Sequence, residues 1–411
     1  MNILIRSARV LDPASSHHGK RVDIHLQRGR IAGIGRSLKV SGARVIEEDD
    51  LFVSPGWIDL RANFRDPGME QKENLLSGAA AARAGGFRTV VLMPSTQPVV
   101  DSKPAIEYLL SSSRSLPVRV LPTGALSAGL EGKQLAGMYD MHRAGAVAFT
   151  DDKAPVGTEL LVRALEYTAD FGGLIMTFPH DPGVSPGAMM HEGASSTALG
   201  LRGIPALAEE LRLHRDLEIL RYCGGRMHVS LISTAGSVDL IRKAKRSGLQ
   251  VTCAVAAHQL FYLDEDLHSF DTNLKVLPPL RGSADRKALI KGLQDGTIDA
   301  ICSDHSPEDH EHKVLEWDYA GYGISGIQGV FHTALTAAED KVELETIVNC
   351  LSSGPAAILG ISANVVEEGH SDDLTVFSPS GTTAFTRESW KSRSLNFPAM
   401  GKELKGRVFS W

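Results

Sequence analysis

The first 50 positions alternate apolar and polar residues in the way that is typical of β-strands. Apolar side chains recur at about every second position over 3–11, and shorter runs of the same kind follow at 22–27, 30–34 and 44–47. The tripeptide Arg28-Gly29-Arg30 separates two of these runs and indicates a turn. The amino-terminal segment is therefore predicted to form a small β unit.

The pattern changes at position 51, where short apolar runs begin to alternate with helix-like stretches. The apolar runs lie at 52–60, 89–93, 118–122, 146–149, 173–177, 227–232, 250–255 and 298–302. Stretches with helical spacing lie between them, for example at 74–84, 155–171, 204–221, 237–247 and 284–293. Eight strands that alternate with helices predict parallel βαβ units, and a closed (β/α)8 barrel of the TIM type is the natural arrangement for them.

The β pattern returns near the carboxyl end, with runs at 364–367, 374–377 and 406–409. We therefore expect an α/β protein in which both ends of the chain form a small β-sandwich domain beside the barrel. The predicted boundaries are 1–52 and 363–411 for the two parts of the small domain and 53–362 for the barrel.

Composition and charge exclude several classes of protein. The net charge is −6 and no basic stripe is present, which argues against a nucleic-acid partner. Cys223, Cys253, Cys302 and Cys350 lie far apart and are interpreted as thiols in a reducing compartment. No apolar run is long enough to span a membrane, and the first residues look like a strand rather than a signal peptide. We expect a cytoplasmic protein with no membrane association.

The ends of the predicted strands carry the candidate chemistry, because active sites of such barrels lie at the carboxyl ends of the strands. Several motifs at these ends resemble the dihydroorotase branch of the amidohydrolase superfamily, and the resemblance covers nearly the whole chain. The motifs are PGWIDLR at 55–61, the DPG turn at 66–68, MPST at 93–96, TDD at 150–152, PPLR at 278–281, SDHSP at 303–307 and SRSLNFPAMGKELKGRV at 392–408.

The resemblance implies a two-metal hydrolase, but only half of the family's ligand positions are retained. The family uses a His-x-His pair, two further histidines and two aspartates, the last of which also serves as the general base. The retained positions hold Asp151, His180 and Asp304, whereas Arg61, Asn63 and Leu231 replace histidines. Arg61 brings a permanent positive charge to a place where a dication would lie. We therefore expect no resident cofactor, with zinc possible at reduced occupancy on the three retained residues. We also expect Arg61 to pair with Asp151 or Asp304.

The substrate positions implied by the resemblance are altered as well. Arg65 stands at the carboxylate-binding arginine, and the pair Tyr322-Gly323 fits a late substrate loop. Ser95 and Leu277 each replace an asparagine, and Glu308 replaces a histidine. The resemblance thus implies a vestigial substrate site at Arg65, Ser95, Tyr322 and Gly323.

Three functional hypotheses follow from these residues. The leading one is a catalytically inactive dihydroorotase homologue that acts as a structural or regulatory subunit of an aspartate transcarbamoylase complex in pyrimidine biosynthesis. The resemblance alone supplies this partner, and a homo-oligomer is expected as well. The second is a residual metal-dependent hydrolase of a cyclic amide such as dihydroorotate, a hydantoin or allantoin, with Asp304 as its base. The third is a small-anion sensor that uses Arg61 and Arg65.

Overall fold

The computed structural model describes residues 2–338 and 341–411. The strands in this part of the chain are β1 Asn2–Val10, β2 Arg21–Gln27, β3 Arg30–Gly35, β4 Arg44–Ile46, β5 Phe52–Pro55, β6 Trp57–Ala62, β7 Phe87–Leu92, β8 Arg119–Pro122, β9 Leu174–Thr177, β10 Met190–His191, β11 Gly203–Ile204, β12 Arg226–Val229, β13 Val251–Ala256, β14 Ala300–Cys302, β15 Leu374–Ala384 and β16 Glu403–Phe409. The α-helices are α1 Leu75–Ala84, α2 Lys103–Ser112, α3 Met138–Ala144, α4 Thr158–Ala169, α5 Ala194–Leu199, α6 Ala206–Cys223, α7 Ala235–Arg246, α8 Ala257–Phe261, α9 Ser283–Gln294, α10 His310–Lys313, α11 Val330–Ala338, α12 Leu344–Leu351 and α13 Ser353–Leu359.

Both ends of the chain contribute to one small sheet. Its strands follow the order β16-β15-β5-β1-β2-β3, and β4 pairs with β1 outside this path. The apolar residues that alternate along β1 and β2 form a common core with Val366, Leu374 and Val376 from the carboxyl end. The hydrogen bonds join all seven strands into a single sheet, where the sequence predicted a sandwich.

The run at 52–60 was predicted to be one barrel strand, and the structure divides it at Gly56. The first half, β5, pairs with β1 and β15 in the small sheet, so this sheet extends to Pro55, past the predicted boundary. The second half, β6, begins the parallel strands. A Cβ atom on Gly56 would lie 2.5 Å from Cγ of Arg88, so only glycine fits at this crossing.

The predicted strand at 364–367 is absent, although its apolar residue is used. Val366 is buried, and its backbone N–H donates to Oδ2 of Asp12 at 2.8 Å. A hydrogen bond to the side chain of Asp12 thus holds this segment beside the small sheet, in place of the backbone hydrogen bonds of a strand.

The parallel strands form two groups that are linked into a ring. One group has the order β6-β7-β8 and the other β9-β12-β13-β14. Phe149 bridges both Gly124, just after β8, and Ile175 in β9, and a bridge between Ala62 and His305 connects β6 to the end of β14. The pairing therefore returns to its first strand, as a closed eight-stranded barrel requires. The predicted strand at 146–149 is reduced to these bridges.

Apolar side chains fill the inside of this ring. They include Ile58, Leu60, Val91, Leu121 and Met176, together with small residues on β13 and β14. Arg61 is a polar exception, since it is among the largest side chains that are fully buried. No helix of the described residues is long and apolar enough to cross a membrane.

Candidate active site

Arg61 lies at the carboxyl end of β6 and places its guanidinium inside the mouth of the ring. Its side chain is only 1% exposed. Nε donates to Oδ1 of Asp304 at 2.9 Å, and Nη2 donates to the carboxylate of Asp152. The ring of Phe178 lies 5.6 Å from Cζ. The first strand thus places a buried cation at the position where the resemblance implies a metal-ligating histidine.

A second cation completes a cluster of four charges, which we call the barrel-mouth quartet: Asp152, Arg61, Asp304 and Lys153. Nζ of Lys153 donates to Oδ2 of Asp304 at 3.0 Å, so Asp304 accepts from both cations. Burial raises the pKa of Asp304, but Lys153 and Arg61 more than offset it and hold this pKa below its ordinary value. The quartet has two positive and two negative charges and is internally neutral.

Asn63 and Ser95 hold Asp152 in this arrangement. Oγ of Ser95 lies 2.9 Å from Oδ1 of Asn63 and also within hydrogen-bond distance of Oδ2 of Asp152. One residue predicted for substrate contact, Ser95, and one replaced metal position, Asn63, therefore support the quartet.

The carboxylate that meets Arg61 is Asp152 and not its neighbour Asp151. Both oxygens of Asp151 accept from Ser127, from the backbone N–H at 2.8 Å and from the hydroxyl. Asp152 has φ of 55°, in the left-handed region that a non-glycine residue rarely adopts. This turn directs the side chain of Asp152 toward Arg61. The predicted alternative that Arg61 pairs with Asp151 is therefore wrong, whereas its pairing with Asp304 is observed.

His180 was predicted to be a metal position, and the structure places it in a different environment. Its ring lies 6.2 Å from that of Phe178. Burial and the nearby Arg281 lower its pKa, and Glu209 acts in the opposite direction. The charges that act most strongly on His180 thus lie outside the quartet. Leu231, the third replaced position, is buried among the apolar side chains inside the ring.

The residues present do not fit the zinc ions that the family implies. Each oxygen of Asp151 accepts a hydrogen bond from Ser127, and Asp304 is bonded to two cations. Across residues 2–338 and 341–411, no group of three or more His, Cys, Asp or Glu side chains is placed to hold a metal ion. A dication at this point would face the charges of Arg61 and Lys153 directly.

Arg65 is paired with a carboxylate of the chain itself. Its Nη2 donates to Oε1 of Glu308 at 2.9 Å, and Nζ of Lys72 donates to Oε2 at 2.6 Å. Glu308 thus occupies the place where the resemblance puts a substrate carboxylate. Because Arg61 and Arg65 both have internal partners, the geometry does not favour the small-anion sensor.

Tyr322 and Gly323 shape the segment that follows β14. Nζ of Lys275 lies 4.9 Å from the centre of the Tyr322 ring. Gly323 has φ of 143°, and a Cβ atom there would lie 2.3 Å from the carbonyl oxygen of Ser306. The glycine therefore allows this segment to pack against the loop that carries Asp304. Leu277 packs against the apolar side chains inside the ring.

The sequence reasoning missed Asp152, Lys153 and His258. His258 lies in α8, directly after β13, and is 4% exposed. Burial lowers its pKa to about 4, with Asp304 raising it and Lys153 lowering it. Its Nε2 is buried without a hydrogen-bond partner among the described residues. The position of His258 immediately after an apolar run was the signal that could have identified it.

Other polar atoms near the ends of β9 and β12 are also buried without a hydrogen-bond partner among the described residues. They are Thr177 Oγ1, Ser230 Oγ and His228 Nε2. Buried polar groups normally have a partner, so these atoms are exceptional among the described residues. The quartet and these groups together define the candidate active site.

The chain is similar to known proteins over nearly its whole length. Residues 51–237 match a family model described as dihydro-orotase-like. The chain is 39% identical over 413 residues to a dihydroorotase of Syntrophus aciditrophicus, covering 99% of this chain and 97% of the relative. It is also 39% identical over 410 residues to a dihydroorotase of Pelotomaculum thermopropionicum, covering 99% and 96%.

A solved structure shows the same fold. The L-hydantoinase of Arthrobacter aurescens superposes with a TM-score of 0.83 at 22% identity, covering 100% of this chain and 94% of that one. At this identity the likeness concerns the fold alone.

The relatives correct the expectation of a catalytically inactive subunit. Proteins that match this chain from end to end are named dihydroorotase, which is the name of an enzyme, and they do not point to a non-catalytic class. The expected self-association stays a prediction. Identity of 39% over 99% of the length shows that the chain belongs to the dihydroorotase family.

Proposed function

We propose that the protein hydrolyses a cyclic amide to its ring-opened acid, or runs this reaction in reverse, which is the reaction class of dihydroorotases. The observation that carries the proposal is the 39% identity with dihydroorotases over almost the whole chain. The quartet supports it, because charged groups lie at the ends of the parallel strands where such barrels carry out chemistry.

Arg61 and Lys153 supply the positive charge for the reaction. An amide carbonyl becomes negatively charged at oxygen when water adds to it, and fixed cations in a buried site stabilise that oxygen. Arg61 is enclosed between Asp152 and Asp304. Lys153 is 22% exposed and, among the described residues, pairs with the carboxylate of Asp304 alone. Lys153 is therefore the cation that an incoming carbonyl oxygen meets first.

His258 is the proton acceptor of this proposal. Asp304 is bonded to both cations, so its carboxylate is a poor base. His258 is neutral near pH 7, and its Nε2 is free to accept. Water adds to the amide carbon and gives a proton to Nε2; the C–N bond then breaks as Nε2 returns the proton to the leaving nitrogen.

The experiment measures turnover of dihydroorotate, hydantoin and allantoin, and the reverse ring closure, by the chelator-treated protein. We expect turnover above the rate in buffer, and a fall in kcat of about 100-fold in His258→Asn. His332→Asn is the matched control, since His332 is also a buried histidine but lies in α11, where its Nδ1 is 3.1 Å from the carbonyl oxygen of Lys405.

Two results would reject the proposal. One is a folded protein that turns over none of these compounds. The other is an equal loss of kcat in both histidine variants, which would show a structural effect. Activity that appears only after zinc is added would reject the role given to the two cations.

A further inference from the structure

A cavity of about 730 Å³ lies at the end of the barrel opposite to the quartet. It opens where β7 and β8 begin, since Arg88 is the second residue of β7 and Arg119 the first of β8. Small-molecule sites usually measure about 300–1,000 Å³. We call this space the basal cavity.

The charged lining of the basal cavity is mostly positive. Its charged side chains are Arg83, Arg88, Arg114, Arg119, Asp372 and Asp373. Asp373 interacts at longer range with Arg83 and Arg119, and burial raises its pKa. In the described part of the chain, none of the four guanidinium groups has an ion pair with an Asp or Glu side chain, and Nη2 of Arg83 donates to the main-chain oxygen of Trp411 at 3.1 Å. Two positive charges therefore remain in excess inside the cavity.

Arg88 provides the observation that points to a ligand. It is 4% exposed, and its Nε donates to the carbonyl oxygen of Leu374 at 2.5 Å. Its Nη1 is buried and has no hydrogen-bond partner in the described chain. A buried guanidinium donor without an acceptor is costly, so a ligand that supplies an acceptor for Arg88 would offset this cost.

Another part of the lining is apolar. Leu110, Leu116, Val118 and Val147 form this part. The Trp411 ring borders the arginines, with its centre 4.3 Å from Cζ of Arg88. A ligand that fills the cavity therefore needs a negatively charged end and an apolar end.

We infer that the basal cavity binds a small organic phosphate, with the phosphate on Arg88 and Arg114 and the organic group on the apolar wall. A phosphate monoester carries nearly two negative charges, which matches the two excess positive charges of the lining. Its oxygens also accept from the planar fork of an arginine in pairs. This site is independent of the proposed hydrolysis, because it lies at the other end of the barrel.

Titration calorimetry with phenyl phosphate, glycerol phosphate, inorganic phosphate and benzyl alcohol tests this inference on the whole chain. We expect saturable binding of phenyl phosphate, weaker binding of the two phosphates that lack an apolar arm, and none of the neutral alcohol. Arg114→Ala should weaken phenyl phosphate binding about tenfold, as the loss of one charge-assisted contact predicts. Arg114 is exposed at the rim, so this variant keeps the fold.

The exposed Arg387, which does not line the cavity, gives the control variant Arg387→Ala. Unchanged binding in this control supports the site. Equal weakening in both variants would show a general effect of charge and would overturn the inference. Absence of saturable phenyl phosphate binding at millimolar concentration would overturn it as well. If inorganic phosphate binds as tightly as phenyl phosphate, the apolar side chains do not contribute to binding, and the inferred organic group is wrong.

Discussion

Arg61 and Asp304 lie 243 positions apart in the chain, and Nε of Arg61 donates to Oδ1 of Asp304 at 2.9 Å. This bond joins the first and the last strand of the ring at its mouth. Both groups are 1% exposed, so each depends on the other to offset the cost of burying its charge. In the proposed function, Arg61 takes the electrostatic role that the resemblance gives to metal ions.

The protein is expected to contain well below one zinc per chain after expression in zinc-supplemented medium. The physical reason is that Arg61 and Lys153 occupy the carboxylate that would bind the ion. Elemental analysis of the purified protein measures this content. Thermal unfolding before and after chelator treatment is the control, and a midpoint that falls on metal removal would contradict the prediction.

Arg61→Met should lower the free energy of unfolding by about 3–5 kcal/mol, because it leaves Asp152 buried with an uncompensated charge. Lys153→Met should cost clearly less, since Lys153 is 22% exposed and its partner Asp304 keeps Arg61. Chemical denaturation of the two variants measures the difference. An equal or larger loss in the lysine variant would show that the guanidinium is not the centre of the quartet.

Glu308→Gln should make the protein bind dihydroorotate about tenfold more tightly, a change of about 1.4 kcal/mol. The substitution removes the internal carboxylate and leaves Arg65 and Lys72 to meet the carboxylate of the ligand. Titration calorimetry or KM measures the effect. Glu311→Gln removes the same charge from an exposed position three residues further along, in α10, and comparable tightening in that variant would refute the explanation.

Stability should fall as the pH is lowered from about 6.5 toward 4. Burial lowers the pKa of His332 and of His258 to about 4 and that of His228 to about 3. Below pH 6.5 the unfolded chain binds protons at these positions while the folded chain does not, so the free energy of unfolding rises with pH in this window.

The midpoint of urea unfolding at several pH values measures this dependence. His332→Gln should flatten it, because one of the three buried histidines no longer takes up a proton on unfolding. A slope that is unchanged in this variant would assign the dependence to other groups.

The order of strands and helices was largely available from the sequence, because apolar runs and helical spacing reflect local burial. The run at 52–60 shows the limit of this reasoning. Its residues are buried on both sides of Gly56, so the apolar pattern is continuous although the chain passes from one sheet to another.

The candidate site was only partly predictable, because the sequence does not show which of two neighbouring side chains faces the site. Adjacent aspartates such as Asp151 and Asp152 look equivalent in the sequence. The left-handed turn at Asp152 and the position of Ser127 decide which carboxylate reaches Arg61.

The sequence by itself determined the alternation of elements, the loss of the histidine ligands and the presence of Arg61 and Arg65 at the strand ends. Tertiary structure decided the partners: Asp152, Lys153 and Asp304 for the quartet, and Glu308 for Arg65. These contacts join positions up to 243 residues apart, and they depend on strand register and backbone turns that local patterns do not encode.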